Sequence, residues 1–349
     1  MPDKIKRRIS PEVFGLPGEE IKRGFYSDKY FVRAGEILKK DGNSARVLMQ
    51  IFARKPGIIC GMDEAIAVLK LGAEDPDDLV INGLFDGDSF QPMETVMTIE
   101  GEYSNFAHLE TVYLGVIARG TAVATAVRKV VEAAEGRPIS FFPARFDGYR
   151  TQKRDGYAAH IAGADGVSTD AQGLWWGGSG LGTVPHGLIA AYGGDTVQAT
   201  LAFDRYMPED VKRIALVDFT NDCVGTSLAV ARALPDRLFA VRLDTAADLK
   251  DISVKDESPE SRGVCPELVR NVRRALDQNG FNRVRIAVSG GFTADRIRRF
   301  IKEDVPFDMV GVGSSLLKER IDFTADVVMV NGKPGAKVGR SYRPNPRLA

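Results

Sequence analysis

From Pro138 onward the chain alternates short apolar runs with amphipathic ones, and this alternation limits the fold more than any other feature. The strand-like runs are PISFFPAR (138–145), ADGVST (164–169), LGTVP (181–185), RIALVDF (213–219), LFAVRLD (238–244), VRIAVSGG (284–291) and FDMVGVG (307–313). Helical patterns lie between them, among them PELVRNVRRALDQNG (266–280) and TADRIRRFIKED (293–304). In the first of these, Leu268, Val269, Val272 and Leu276 recur at helical spacing on one face, and Gly280 supplies a stop. Strand–helix alternation predicts a parallel sheet. Seven strands predict a closed or nearly closed β/α barrel, one strand short of the usual eight.

Residues 1–115 follow a different pattern. ARVLMQIFARKPGIICGMDEAIAVLKL joins a strand-like run to a helical one, and FDGDSFQPMETVMTIEG (85–101) reads as short strands and turns. The fold class expected is α/β: a barrel over 116–321 preceded by an α+β domain over 1–115. A long helical run from His108 to Ala134 leads into the barrel. ADVVMVNGKPGAKVGR (325–340) reads as a hairpin around Asn331-Gly332. That hairpin is expected to bring residues 322–349 back to the first domain.

Composition narrows the function classes. Lys plus Arg (47) cancels Asp plus Glu (47), so no net field favours nucleic acid or an anionic membrane surface. Three widely separated cysteines, Cys60, Cys223 and Cys265, form no CxxC pair. They disfavour a disulfide scaffold and a zinc site, and they suit a reducing cytoplasm. MPDKIKRRIS has no apolar core of the secretory type. Residues 171–194 carry no Lys, Arg, Asp or Glu but contain eight glycines and a proline, a fold interior with tight turns rather than a membrane span.

In a β/α barrel the working residues stand at the C-terminal ends of strands. Here those places hold Arg145, Ser168, His186, Asp218, Arg242 with Asp244, Ser289-Gly290-Gly291 and Gly311-Val312-Gly313-Ser314. The last two are small-residue turns on successive strands, where backbone N–H groups suit a phosphate. Arg145 and Arg242 each offer a planar fork to phosphate or carboxylate oxygens, or an ion pair at the barrel mouth. Asp244 suits Mg²⁺ or a ribose hydroxyl, and equally a helix cap or a partner for Arg242. His186, in GTVPHGLI, has no second His or Cys close in sequence. It is either a hydrogen-bonded structural residue or, from its place at the barrel mouth, a nucleophile or acid/base.

Taken together, YSDKYF (26–31), FFPAR (141–145), GADGVST (163–169), GTVPH (182–186), VRLD (241–244), RGVCPELV (262–269), SGG (289–291) and VGVGSSL (310–316) resemble, in order, the nicotinate phosphoribosyltransferases. The resemblance spans nearly the whole chain, and GTxPH and VRLD followed by SGG are its most specific pieces. It implies the type II phosphoribosyltransferase architecture, an N-terminal α/β domain and an irregular seven-stranded barrel. It also implies a reaction: nicotinate and phosphoribosyl pyrophosphate give nicotinate mononucleotide and pyrophosphate, with Mg²⁺ and in some members ATP. By this resemblance Phe142 stacks on one pyridine face, Arg145 meets the substrate's anionic groups, Ser168 belongs to the base pocket, and Thr183 is a substrate-binding residue. The two glycine turns (Ser289, Gly290, Gly291 and Gly311, Gly313, Ser314) hold the 5′-phosphate. Asp244, beside Arg242, lies by the ribose and is the candidate Mg²⁺ ligand. His186 matches the histidine phosphorylated in ATP-coupled members. Tyr30 matches a tyrosine that covers the opposite pyridine face from the neighbouring subunit, which implies a head-to-tail homodimer with shared active sites.

The chain departs from the pattern in places. Phe146 stands where a second Arg often follows, the C-terminal RSYRPNPRLA has no cysteine, and residues 85–101 have a biotinyl-like outline without a lysine at the turn. Quinolinate phosphoribosyltransferase is the nearest alternative, but its RKTxPG run is absent. Nicotinamide phosphoribosyltransferase carries an acid where this chain has Ser168, and a carboxylate there repels nicotinate. A non-catalytic phosphosugar-binding barrel is the alternative from another class.

Overall fold

The computed structural model describes residues 7–349; the first six residues, which open the segment read above for a leader, lie outside the described residues. The chain forms two compact units. One contains the chain up to Arg128 together with Lys153–Ala162 and Glu319–Ala349; the other contains Lys129–Gln152 and Gly163–Lys318. The boundary therefore falls inside the helix Glu110–Ala133, later than residue 115. The helix Gln152–Ile161 also contributes most of its length to the first unit. Side chains explain this. Arg119 makes a two-pronged contact with buried Asp155 at 2.7 and 2.9 Å, and Arg154 does the same with buried Glu64 at 2.5 and 2.7 Å.

The first unit is built on an antiparallel sheet in the order Lys333–Pro334, Phe323–Val330, Arg46–Ala53, Thr95–Glu102, Val80–Gly83. Val47, Met49, Ile51 and Ile99 from this sheet share one apolar core with Met62, Val68 and Leu69 of the helix Met62–Gly72 and with Tyr113 and Ile117 of the long helix. The hairpin read from Asn331-Gly332 is present. Both residues are left-handed (φ 48° and 74°), as a two-residue turn of this kind requires. Phe323–Val330 pairs with Arg46–Ala53, so the chain does return to its first unit.

The second unit holds six parallel strands in the order Gly166–Val167, Ile139–Phe141, Met309–Val312, Arg285–Val288, Leu238–Leu243, Arg213–Leu216. The expected seventh strand, 181–185, is not a strand. Gly180 bridges Val167 and Leu181 N donates to Val167 O at 2.7 Å, but the chain then leaves the sheet. Gly182 and Pro185 account for the departure: one lacks a side chain to pack and the other lacks an N–H for a ladder. The barrel is a curled half-barrel that ends at this point. The helix Pro266–Gln278 buries Leu268, Val269, Val272 and Leu276, the four residues its spacing singles out, and Gly280 follows in the left-handed conformation (φ 81°). All three cysteines are free and buried. Among the described residues no helix is long and apolar enough to cross a membrane.

Candidate active site

The C-terminal ends of the parallel strands, with the loops that follow them, line a cleft of about 610 Å³. Phe142 follows the strand Ile139–Phe141 and is anchored by its N–H, which donates to Val312 O at 2.8 Å. Its ring lies against Gly311: a Cβ there would fall 2.5 Å from the ring carbons. Gly311 sits within the strand Met309–Val312, opposite Ser140, so its missing side chain makes room for an aromatic floor and the turn proper starts at Gly313. Arg145 is exposed, its guanidinium 5.3 Å from the centre of the Phe146 ring, and it makes no ion pair among the described residues.

Thr169 caps the short helix Asp170–Gly173, and Ser168 precedes it. Gln172 Oε1 accepts from Ser168 N (3.0 Å), Thr169 N (3.2 Å) and Ser168 Oγ (3.1 Å). A carbonyl oxygen has two lone pairs, and the two backbone N–H groups fill them. The Ser168 hydroxyl is the third donor on that oxygen, so turning it toward a ligand in the cleft would leave the oxygen still satisfied. Thr183, Pro185 and His186 line the same cleft from the loop that leaves the sheet. His186 Nε2 meets both carboxylate oxygens of Asp218, at 3.0 and 3.1 Å. Burial pushes the Asp218 carboxyl above its ordinary range, His186 draws it back down, and the charge of Asp244 adds to the rise.

Asp244 accepts from Ser289 Oγ at 2.8 Å and faces Arg242 Nη1 at a loose 3.7 Å. Arg242 Nε is buried and has no hydrogen-bond partner among the described residues. Both side chains line the cleft, so the ion pair read as an alternative for Arg242 and Asp244 exists only as a long contact that leaves donors to spare. At the turn after the strand Arg285–Val288, Gly290 (φ 83°) and Gly291 (φ 75°) are successive left-handed residues. Among the described residues, no acceptor takes up the N–H groups of Gly290, Gly291, Gly313 or Ser314. Gly313 adopts φ −112°, ψ −119°, and a Cβ on it would press on the Phe146 ring at 3.0 Å. Among the described residues no group of three or more His, Cys, Asp or Glu side chains is arranged to hold a metal.

Comparison with known proteins agrees with this geometry. The family model for the quinolinate phosphoribosyl transferase N-terminal domain matches residues 28–121. A nicotinate phosphoribosyltransferase of Mycobacterium tuberculosis is 28% identical over 370 residues, covering 95% of this chain and 78% of the relative. The crystal structure of nicotinate-nucleotide pyrophosphorylase from Pyrococcus furiosus is 34% identical with a TM-score of 0.82, over 94% of this chain and 81% of that one. The chain belongs to the type II phosphoribosyltransferases. Human nicotinic acid phosphoribosyltransferase shares the fold at 17% identity, with a TM-score of 0.73 over 90% of this chain and 77% of that one.

For this type II phosphoribosyltransferase the structure gathers Phe142, Arg145, Ser168, Thr183, His186, Arg242, Asp244, Ser289, Gly290, Gly291, Gly311, Gly313 and Ser314 around one cleft. Tyr30 is the exception. It stands on the helix Lys29–Lys40 of the first unit, 62% exposed, and does not line the cleft. Three participants had no role assigned from sequence: Asp218, Gln172 and Phe146. Asp218 was visible as a strand-end acid, but its partner lies 32 residues away in sequence. Gln172 was visible as the fourth residue of a Thr-x-x-Gln capping box.

Proposed function

We propose that the chain joins nicotinate to phosphoribosyl pyrophosphate, releasing pyrophosphate and forming nicotinate mononucleotide. One observation carries the reading. A single cleft has turns with unpaired amides at one end and an aromatic floor with one unpaired arginine at the other. The phosphate end matches a 5′-phosphate, and the aromatic end matches a flat base bearing one negative charge. The cations lining the cleft are Arg145, Arg242 and, when protonated, His186. Arg242 faces Asp244 only loosely and is given to the leaving group below, so Arg145 is left for a carboxylate on the base. This supports nicotinate over quinolinate, whose two carboxylates need more. The Ser168 hydroxyl supports the acid over the amide, because a hydroxyl donates where an Asp would repel.

The reaction breaks the bond from ribose C1 to pyrophosphate and makes one to the ring nitrogen. Positive charge develops on the sugar and negative charge on the leaving group. The nitrogen is already a nucleophile, so positioning and electrostatics supply the rate. Asp244, held by Ser289, stabilises the sugar's charge. Arg242 stabilises the departing oxygens. Phe142 orients the ring. Mg²⁺ fits a site of this kind, which needs one or two carboxylates when the substrate's own phosphates complete the coordination. Asp244 would hold it, and it would neutralise the leaving group. His186, with Nε2 bonded to Asp218, leaves Nδ1 to accept a phosphoryl group from ATP. We further propose a homodimer in which Tyr30 of one copy covers the base site of the other.

The test is pyrophosphate release with nicotinate, nicotinamide or quinolinate, each with and without ATP. Turnover is expected with nicotinate. Preference for quinolinate would move the assignment to that branch. Tight phosphoribosyl pyrophosphate binding with no release from any base would leave a phosphosugar-binding barrel.

A further inference from the structure

The turn at Ser289-Gly290-Gly291 is backed by a side chain outside the cleft lining. Arg296 lies in the first turn of the helix Ala294–Lys302, and its own N–H is capped by Thr293 Oγ1 at 3.2 Å. Its guanidinium folds back under the turn. Nη1 donates to Gly290 O at 2.9 Å and to Gly291 O at 3.4 Å, and Nη2 donates to Val264 O at 2.8 Å. The planar group lies 4.5 Å from the centre of the Phe292 ring and 5.8 Å from that of Phe300. It has no carboxylate partner among the described residues, and burial lowers its proton affinity. A half-buried cation with no acid beside it is costly to hold in place.

We propose that Arg296 is a positioning residue for the phosphate turn: it holds the Gly290 and Gly291 carbonyls away from the cleft, so that the N–H groups across those two peptide bonds, those of Gly291 and Phe292, face it, and adds a fixed positive charge behind them. This rests on the phosphoribosyl reading of the site. Two left-handed glycines in succession are free to flip, because neither has a Cβ to fix the peptide plane. A rigid fork bound to both carbonyls removes that freedom. A peptide whose carbonyl is tied on one side presents its N–H on the other, which is the geometry an anion needs. The guanidinium charge acts in the same direction as those amides. It is balanced when a dianionic phosphate arrives and is otherwise unbalanced. The third bond, to Val264, also ties the turn to the segment that enters the helix Pro266–Gln278.

The experiment compares Arg296→Met, Arg296→Gln and Arg296→Lys with the parent. Phosphoribosyl pyrophosphate and ribose 5-phosphate binding are measured by calorimetry at two ionic strengths, alongside both KM values and the thermal midpoint. Arg296→Met is expected to weaken both phosphosugars at least about 10-fold and leave the nicotinate KM within about 2-fold. It should also flatten the salt dependence of binding. Arg296→Gln keeps donors without charge, and Arg296→Lys keeps charge without the fork. Each should recover part of the loss and neither all of it, and these two decide the matter if the Met variant does not fold. Equal loss for both substrates, or phosphosugar affinity unchanged in the Gln and Lys variants, would reduce Arg296 to a structural residue. If the parent itself fails to bind phosphoribosyl pyrophosphate, the reading of the site fails first.

Discussion

At the scale of single residues, the base end of the cleft turns on one hydroxyl. Ser168 can give up its bond to Gln172 Oε1 at little cost, because two backbone amides also donate to that oxygen. Replacing it by an acid puts a like charge where nicotinate brings its own. Ser168→Asp is expected to cut nicotinate kcat/KM by about 10-fold or more, the effect of about 1.4 kcal/mol of repulsion. Undiminished nicotinate turnover in that variant would remove Ser168 from the base pocket. His186 is fixed by Asp218 through one ring nitrogen, which makes the other the reactive one. His186→Ala is expected to abolish ATP stimulation while leaving slow ATP-independent turnover. Asp218→Asn should weaken that stimulation without eliminating it. ATP stimulation that survives intact in His186→Ala would exclude the phosphoryl role.

At the scale of elements, the proposed reaction gives two glycines on neighbouring strands, Gly290 after one and Gly311 within the other, to different substrates. Gly290 is left-handed, a conformation that costs an ordinary residue about 1–2 kcal/mol, and its Cβ would stand 3.4 Å from Asp244 Oδ1. Gly311 is ordinary in φ, but its Cβ would strike the Phe142 ring. Gly290→Ala is therefore expected to raise the phosphoribosyl pyrophosphate KM, and Gly311→Ala the nicotinate KM, each by about 10-fold with the other KM nearly unchanged. Parallel rises in both KM values for both variants would mean general damage to the half-barrel.

The helix Glu110–Ala133 begins on an acid whose carboxyl is pushed up to about 7, first by burial and then by the charges of Asp326 and Asp28. An unfolded Glu titrates near pH 4.5. Between about pH 4.5 and 7 the folded chain keeps a proton that the unfolded chain has lost, so this group lowers stability as pH rises through that window. Glu110→Gln is expected to raise the urea midpoint at pH 8 and change it little at pH 4. A variant less stable than the parent at pH 8 would contradict burial as the cause.

At the scale of the whole molecule, the first unit exposes Phe25, Tyr26, Tyr30 and Ile37 within one short stretch of chain. The proposed homodimer would cover these side chains. A second copy with twofold symmetry would bring two such stretches to two clefts at once. An aromatic pair formed by Phe142 and the other subunit's Tyr30 would hold the flat base between two faces. The check is complementation between inactive Tyr30→Ala and inactive Asp244→Ala. Exchanged mixtures should regain part of the parent activity, because each heterodimer assembles one complete site. Mixtures that stay inactive would confine Tyr30 to its own chain.

What the sequence determined by itself is local. The face of Pro266–Gln278, the turn at Asn331-Gly332 and the strand–helix alternation each depend on neighbours within one or two turns of chain, so spacing and turn chemistry suffice. The strand-end residues were legible for the same reason, since an apolar run that stops marks where a barrel opens. Tertiary structure decided the rest. Residues 181–185 had the composition of a strand, yet a ladder needs a partner on the sheet, and this segment keeps only the contact at Val167. Gly311 reads in sequence as part of a turn, and only the Phe142 ring against it shows that it is floor. Asp218 finds His186 across 32 residues of chain, and Arg242 faces Asp244, two residues on, too loosely to be spent on it; the fold sets both distances. Such pairings depend on the distance between groups in space, and the order of residues along the chain does not encode that distance directly.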